Sequence, residues 1–160
     1  MKVELIANVS VNGQLILAEQ SSVYQAPQQI SGMGFARAMQ AGNLIMGRAT
    51  YEMFAPMIKD MSKDFAVVVL TAKTIEGVKC VRSAQEAVEY LENGGYETAC
   101  VVGGTKTYNA FMESGLADDL YFNLFPVLIN GGGVLQGKIV EYKLKESSVN
   151  EGVVCLHYEK

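Results

Sequence analysis

The chain has 160 residues, 49% of them hydrophobic and 19% charged. This composition excludes a disordered segment and leaves room for about one core, so a single domain over residues 1–160 is expected. Seventeen acidic side chains against thirteen basic ones give a formal charge of -4 with no basic stripe, which speaks against nucleic acid as a partner. Three widely spaced cysteines, Cys80, Cys100 and Cys155, form no CxxC motif, as suits a reduced cytoplasmic chain. No apolar run reaches the roughly 18 residues of a membrane span, so no membrane contact is expected. Sixteen glycines beside three prolines point to tight turns or to backbone lying close to a ligand.

Residues 3–11 are β-prone. Residues 14–29 form a Gln/Ser-rich connection containing Pro27, longer than an ordinary loop and therefore a candidate lid. Ser31 offers a cap for a helix to about Gln40, with Phe35, Ala36 and Met39 on one face. Residues 43–46 read as a short buried strand ending in Gly47-Arg48, and residues 50–57 as a short helix limited by Pro56. The plainest buried strand is 65–70, with three consecutive valines. Another short strand over 78–81 precedes Ser83-Ala84-Gln85-Glu86, a capping box opening a helix that stops at Asn93-Gly94-Gly95.

Residues 98–102 then run as a buried strand into Gly103-Gly104, followed by a helix over 105–114 with Tyr108, Phe111 and Met112 inward. The rest is β-prone: 120–129, broken by Gly131-Gly132-Gly133, then 140–147 and 153–158, joined near Asn150-Glu151-Gly152. Strands alternating with helices before an all-β tail predict an α/β three-layer sandwich. Its central sheet is mostly parallel, with an antiparallel C-terminal edge.

In such sheets ligands gather at the carboxyl ends of strands, where helix N-termini present backbone N–H groups. Two junctions have this form. In Ile45-Met46-Gly47-Arg48-Ala49-Thr50-Tyr51-Glu52 a glycine bares the backbone, Arg48 offers a guanidinium fork and Thr50 a hydroxyl in the first helical turn. Val101-Val102-Gly103-Gly104-Thr105-Lys106 repeats the pattern.

Other features point to structure. His157 is the only histidine and shares a strand face with Cys155; with scattered cysteines, no metal site is expected. Gly132-x-x-x-x-Gly137-Lys138 fails as a P-loop because Ile139 stands where Ser or Thr would hold magnesium. Gly32-x-Gly34-x-x-Arg37 lacks the third glycine and the preceding strand of a dinucleotide fingerprint. Met53, Met57 and Met61 recur every four residues, as on the core face of a helix. Asp118-Asp119 reads as a solvated strand start.

Taken in order, MGRATYEMF, VVVLTAK, VRSAQEAVEYL, VVGGTKTYNAF and DDLYFNLFPVLINGGG resemble the dihydrofolate reductase-like superfamily. Within it the resemblance is to stand-alone relatives of the reductase domain of the bifunctional riboflavin-biosynthesis deaminase-reductase. It implies a dihydrofolate reductase-like fold, NADPH as cofactor, and hydride transfer to a C=N or C=O carbon of a small heterocyclic or ribosylamino-pyrimidine-like substrate.

It further implies that Arg48 faces the 2′-phosphate of NADPH, with Thr71 and Lys73 flanking it. Gly47, Ala49 and Thr50 would meet the pyrophosphate at the helix start. Gly103 and Gly104 would let the cofactor pass, with Thr105 and Lys106 opening the helix beneath the phosphates and Tyr108 near the nicotinamide. Ala7 and Asn8 would present backbone groups to the carboxamide. Ser31, Phe35, Tyr51 and Asn123 fall on the substrate side, where the helix bearing Met53 and Met57 edges the cleft. The pattern departs at Ser31, where folate reductases carry an acid, at Asn123 in place of threonine, and in the lack of any tryptophan. Folate reduction is therefore not expected. Ser31, the Tyr51 hydroxyl or a lid-gated water is left to handle the proton. The late strands imply a homodimer, the apolar run 124–129 lying at the end of the sheet. A protein that kept the NADP groove but lost catalysis, as a sensor or interaction protein, accounts for the same residues.

Overall fold

The computed structural model describes residues 1–16, 28–59 and 65–160, with side chains of the first helix from Gly32 onward. In chain order the elements are β1 (Lys2–Ser10), α1 (Gln28–Ala41), β2 (Asn43–Gly47), α2 (Arg48–Ile58), β3 (Ala66–Leu70), β4 (Lys79–Val81), α3 (Ala84–Asn93), β5 (Thr98–Gly103), α4 (Thr105–Ser114), β6 (Asp119–Phe125), β7 (Lys143–Asn150) and β8 (Val153–Glu159). The strands form one sheet in the order β4-β3-β2-β5-β1-β6-β8-β7. All pairings from β4 to β6 are parallel, and β8 runs antiparallel to both β6 and β7. This is the expected mostly parallel sheet with an antiparallel C-terminal edge.

Apolar side chains on both faces explain the layers. Val3, Leu5 and Ala7 of β1 point to one side, where Ala87, Leu91, Tyr108 and Phe111 of α3 and α4 cover them. Ile6, Leu44, Met46 and Cys100 point to the other, against Ala38 of α1 and Tyr51 and Ile58 of α2. Central strands β2 and β5 are therefore apolar almost throughout, as a doubly covered parallel sheet requires. Buried Asn43 fastens this centre. Its Nδ2 donates to the carbonyls of Ala41 and Thr98 at 2.9 and 2.7 Å, and its Oδ1 accepts from the Cys100 N–H at 3.0 Å.

Local signals set most element ends. Ser83 caps α3, its hydroxyl accepting from the Glu86 N–H at 3.1 Å. Glu151 and Gly152, with φ of 49° and 84°, make the two-residue turn between β7 and β8, where positive φ matches the strand twist.

Several expectations are corrected. Ser31 lies inside α1, which already begins at Gln28. Pro56 does not limit α2, which starts at Arg48 and runs to Ile58; the proline sits on an exposed face, and Lys59 N–H still reaches the Ala55 carbonyl at 3.1 Å. Helix α2 has no buried residues, and Met53 and Met57 are 42% and 49% exposed, so the methionines are not a core face; Met61 lies outside the described residues. Strand β6 stops at Phe125 because Pro126 follows and Val127 turns away to accept from the Val11 N–H at 3.0 Å. Phe125 and Val127 pack with Val153, so the run 124–129 is not one free apolar patch.

Asp119 is not solvated. It is fully buried, ion-paired with Lys2 and 3.5 Å from His157 Nε2, while Asp118 accepts from the Val3 N–H at 2.9 Å. No helix among the described residues is long and apolar enough to cross a membrane.

Candidate active site

The two glycine junctions come together because β2 and β5 are neighbours, with Met46 opposite Gly103. Helix α2 is capped by Gly47 and α4 by Gly104, both extended, and neither cap provides a side-chain hydrogen bond. First-turn N–H groups of both helices are thus left for a ligand, and the positive ends of two helix dipoles lie side by side.

The packing between them excludes side chains. A Cβ on Gly47 would stand 2.8 Å from Thr107 Oγ1, and one on Gly104 would meet Thr50 Oγ1 at 3.4 Å. Gly103, joined to Gly104 by a cis peptide, has φ of +132°, a conformation that glycine alone adopts freely, and a Cβ there would meet the Tyr108 hydroxyl at 3.3 Å. The site is therefore a bare-backbone cradle.

Beside the cradle opens a cavity of about 250 Å³ over the carboxyl ends of β1, β2 and β5. Ile6, Leu44, Met46, Phe54, Met57 and Val102 give it apolar walls. Its polar lining is Asn8, Thr50, Tyr108 and Asn123. Tyr108 donates its hydroxyl to the Ile6 carbonyl at 2.6 Å, and burial raises its pKa above the ordinary phenol value, so it stays protonated. Asn123 Nδ2 donates to Asn8 Oδ1 at 2.9 Å, from strands that pair in register.

The anticipated residues divide accordingly. Asn8, Thr50, Gly103, Gly104, Tyr108, Phe35 and Asn123 line the cavity. Gly47, Arg48, Ala49, Thr105 and Lys106 belong to the two helix starts. Arg48 donates to Glu52 Oε1 at 2.7 Å on the exposed surface of α2. Thr71 and Lys73 follow the end of β3, where Gly47 pairs with Leu70, so they lie alongside the Arg48 turn; Thr71 Oγ1 accepts from the Lys73 N–H at 3.1 Å.

The Ala7 side chain is buried among the α3 and α4 contacts, which leaves only its backbone for the expected role. One residue needs correction. Tyr51 packs on the α2 side of the core and lines a separate hollow with Phe65, Val78 and Tyr90, which removes it as a proton source in the cavity. The side chain of Ser31 and most of the expected lid, residues 17–27, lie outside the described residues. Among the described residues no three His, Cys, Asp or Glu side chains are grouped to hold a metal ion.

Sequence reasoning missed Phe54 and the Asn8 side chain. Helical spacing from Thr50 gives Phe54, Met57 and Ile58 as one stripe and was sufficient to find the first. The Asn8–Asn123 contact depends on strand register and left no local signal.

The dihydrofolate reductase family model matches residues 3–135. A search of curated protein sequences finds no match. Among solved structures, a protein from Shewanella sp. PV-4 named for riboflavin biosynthesis superposes with a TM-score of 0.77 at 21% identity, covering 99% of this chain and 98% of that one. A pyrimidine reductase-like protein from Corynebacterium diphtheriae gives 0.75 at 15% identity, with 99% and 91% covered. Dihydrofolate reductase from Schistosoma mansoni gives 0.70 at 16% identity, with 99% and 98% covered. At these identities the likeness is one of fold. With more than four fifths of its length matched by the family model, this chain belongs to the dihydrofolate reductase family.

Proposed function

We propose that the chain is an NADPH-dependent reductase acting on a C=N or C=O carbon of a small heterocycle, of the ribosylamino-pyrimidine kind or a simpler one. The observation that carries this reading is the pair of uncapped, glycine-started helix N-termini packed side by side next to an apolar cavity. The cradle suits a pyrophosphate, because a Cβ at Gly47 would already be too close to Thr107 and neither helix cap has a side chain to take up the N–H groups there. When bound, NADPH supplies the hydride.

The chain's own residues do the rest. Backbone N–H groups of α2 and α4 hold the diphosphate, and Arg48, beside Thr71 and Lys73, meets the 2′-phosphate by exchanging its exposed partner Glu52. Gly103 and Gly104 let the cofactor lie close to the sheet, and Tyr108 is held in place by the Ile6 carbonyl. Apolar walls from Ile6, Leu44 and Phe54 exclude water and keep donor and acceptor carbons in contact. Tyr108 would not serve as the proton donor to the substrate's heteroatom, since its hydroxyl is committed to the Ile6 carbonyl and its acidity is lowered by burial.

A homodimer belongs to the same reading. Edge strand β7 is exposed along almost its whole length, Leu144 and Val149 included, and offers a second copy a pairing edge. A monomer in sedimentation at micromolar concentration contradicts it.

The reading is tested by calorimetric titration with NADPH and NADH, followed by NADPH oxidation over a panel of cyclic imines and carbonyl heterocycles. Preference for NADPH and turnover of at least one panel member are expected. Equal affinity for both cofactors, unchanged in Arg48→Ala, overturns the cofactor assignment. Binding without turnover across the panel leaves an NADP-binding protein instead of a reductase.

A further inference from the structure

We propose that the Asn8–Asn123 amide pair determines specificity in this cavity by reading one N–H and the adjacent C=O of an uncharged ring, a cyclic amide or imide without phosphate or carboxylate. This rests on the cavity being the substrate site of the reductase proposed above.

A comparison within the molecule carries the inference. Asn43, the buried amide at the β2–β5 junction, is saturated: both its N–H donors and its oxygen are taken by backbone. Asn123 is also buried, at 4% exposure against 0% for Asn43, yet its side chain makes one hydrogen bond, to Asn8. Buried amides that serve structure alone are normally satisfied. The β1–β6 ladder does not need this bond, since it continues in register past Asn8 to Ser10 and Phe125.

Once two amides share one hydrogen bond, an oxygen on one and an amino group on the other remain. Reversing both amides leaves the same inventory, one acceptor and one donor, so the argument does not depend on how the amides are oriented. Both side chains line the cavity. An N–H next to a C=O in a ring is their complement.

The charge of the ligand follows from the walls. Among the described lining residues there is no Asp, Glu, Lys or Arg. Away from the two helix starts, which the cofactor's diphosphate would occupy, a charged group entering would lose its hydration without meeting a charged side chain among the described lining residues. A site built from buried hydrogen-bonding groups also rejects analogues that lack the matching N–H, because its own groups are then left unpaired.

The test uses uracil as a neutral cyclic imide, 1,3-dimethyluracil as its N–H-free analogue and orotate as its anionic one. Binding to the full-length protein is followed by NMR with and without saturating NADP⁺. Uracil is expected to bind, and dimethyluracil and orotate to bind at least about tenfold more weakly. Asn123→Leu abolishes uracil binding. Asn123→Asp, which keeps the shape and the fold, leaves two acceptors facing the ring and also abolishes it.

Equal binding of uracil and dimethyluracil overturns the proposal, as does failure of uracil to bind. So does loss of NADPH affinity in both variants with uracil binding intact, since the pair would then serve the cofactor. NADPH affinity of the unaltered protein is measured separately. If that alone fails, the cofactor assignment falls while the uracil result still decides this proposal.

Discussion

Gly47, capping α2, stands against Thr107 in the first turn of α4, so closely that a methyl group on Gly47 would lie 2.8 Å from the Thr107 hydroxyl. The two helix starts are therefore set by one contact. Gly47→Ala is expected to push them apart, lowering stability by roughly 1–3 kcal/mol as overpacking does and weakening NADPH binding at least about tenfold. Thr107→Ala in the same chain removes the obstructing hydroxyl and restores most of both losses. Denaturant unfolding and NADPH titration of the two single variants and the double variant measure this, and simple additivity contradicts it.

The Arg48–Glu52 ion pair occupies the guanidinium that the proposed 2′-phosphate would need. Both side chains are about half exposed, so the pair contributes little to stability and is readily exchanged. Glu52→Gln frees Arg48 and is expected to tighten NADPH binding by about 1.4- to 5-fold, matching the roughly 0.2–1 kcal/mol of such pairs, with NADH binding unchanged. Added salt reduces the gain. Tightening of both cofactors alike, or of neither, shows that Glu52 does not compete for Arg48.

How much of this was legible in the sequence depends on the range of the interaction that fixes each residue. The α4 helix was read correctly as 105–114 because its ends are local: Gly104 before it and Gly115, at φ of 70°, after it. The two glycine junctions were equally plain. Tyr51 was misplaced because its direction depends on the phase of α2 against the sheet. One residue after Thr50, it is turned about a quarter of a helical circuit away from the cavity stripe of Thr50, Phe54 and Met57. Asp119 was misread because its partner, Lys2, comes from the other end of the chain, through the pairing of Glu4 with Asp119. The Asn8–Asn123 bond spans 115 positions and exists only through that same register. Local chemistry thus located the glycine cradle, while long-range register built the polar side of the cavity.

Burial of Cys100 in the centre of the sheet pushes its thiol up to about 12, and burial of Tyr108 likewise raises its hydroxyl. Both groups are held neutral in the folded state beyond their ordinary values of 9.0 and 10.0. Their contribution is complete below those values and is lost as pH rises, for Cys100 across the window from 9.0 to about 12. Within that window the unfolded chain ionises first, and Cys100 lowers stability by about 1.4 kcal/mol per pH unit, Tyr108 adding the same slope only above 10.0. Cys100→Ala is expected to be less stable at neutral pH through its small cavity, yet to decline less steeply in alkali. Urea unfolding across the window, giving parallel slopes for the two proteins, would falsify the assignment.

The segment between β6 and β7 is anchored at three glycines, and this anchoring reaches the cradle. Gly133 accepts from the Leu15 N–H at 2.8 Å and has φ of +91°, and a Cβ there would stand 2.5 Å from Thr105 Oγ1 at the start of α4. A Cβ on Gly132 would overlap the Leu15 carbonyl, and one on Gly137 would come within 2.6 Å of Met112 Cβ. Asn109 of α4 ties the same segment down, donating to the Val134 carbonyl at 3.2 Å and accepting from the Gln136 N–H at 2.9 Å. The glycines therefore do not make a loose turn at the sheet edge; they let a strap lie flat on α4 and on the chain leaving β1. Gly132→Ala must lift the strap from Leu15, because the obstruction is backbone and cannot rotate aside. A stability loss of about 2–4 kcal/mol is expected, with faster amide hydrogen exchange at Leu15 and weaker NADPH binding through displacement of Thr105. Gly131→Ala, with φ of +80° but open space around the new methyl, isolates the conformational cost, which is about 1 kcal/mol. If both variants lose the same stability and neither changes Leu15 exchange, the strap is not what holds the start of α4.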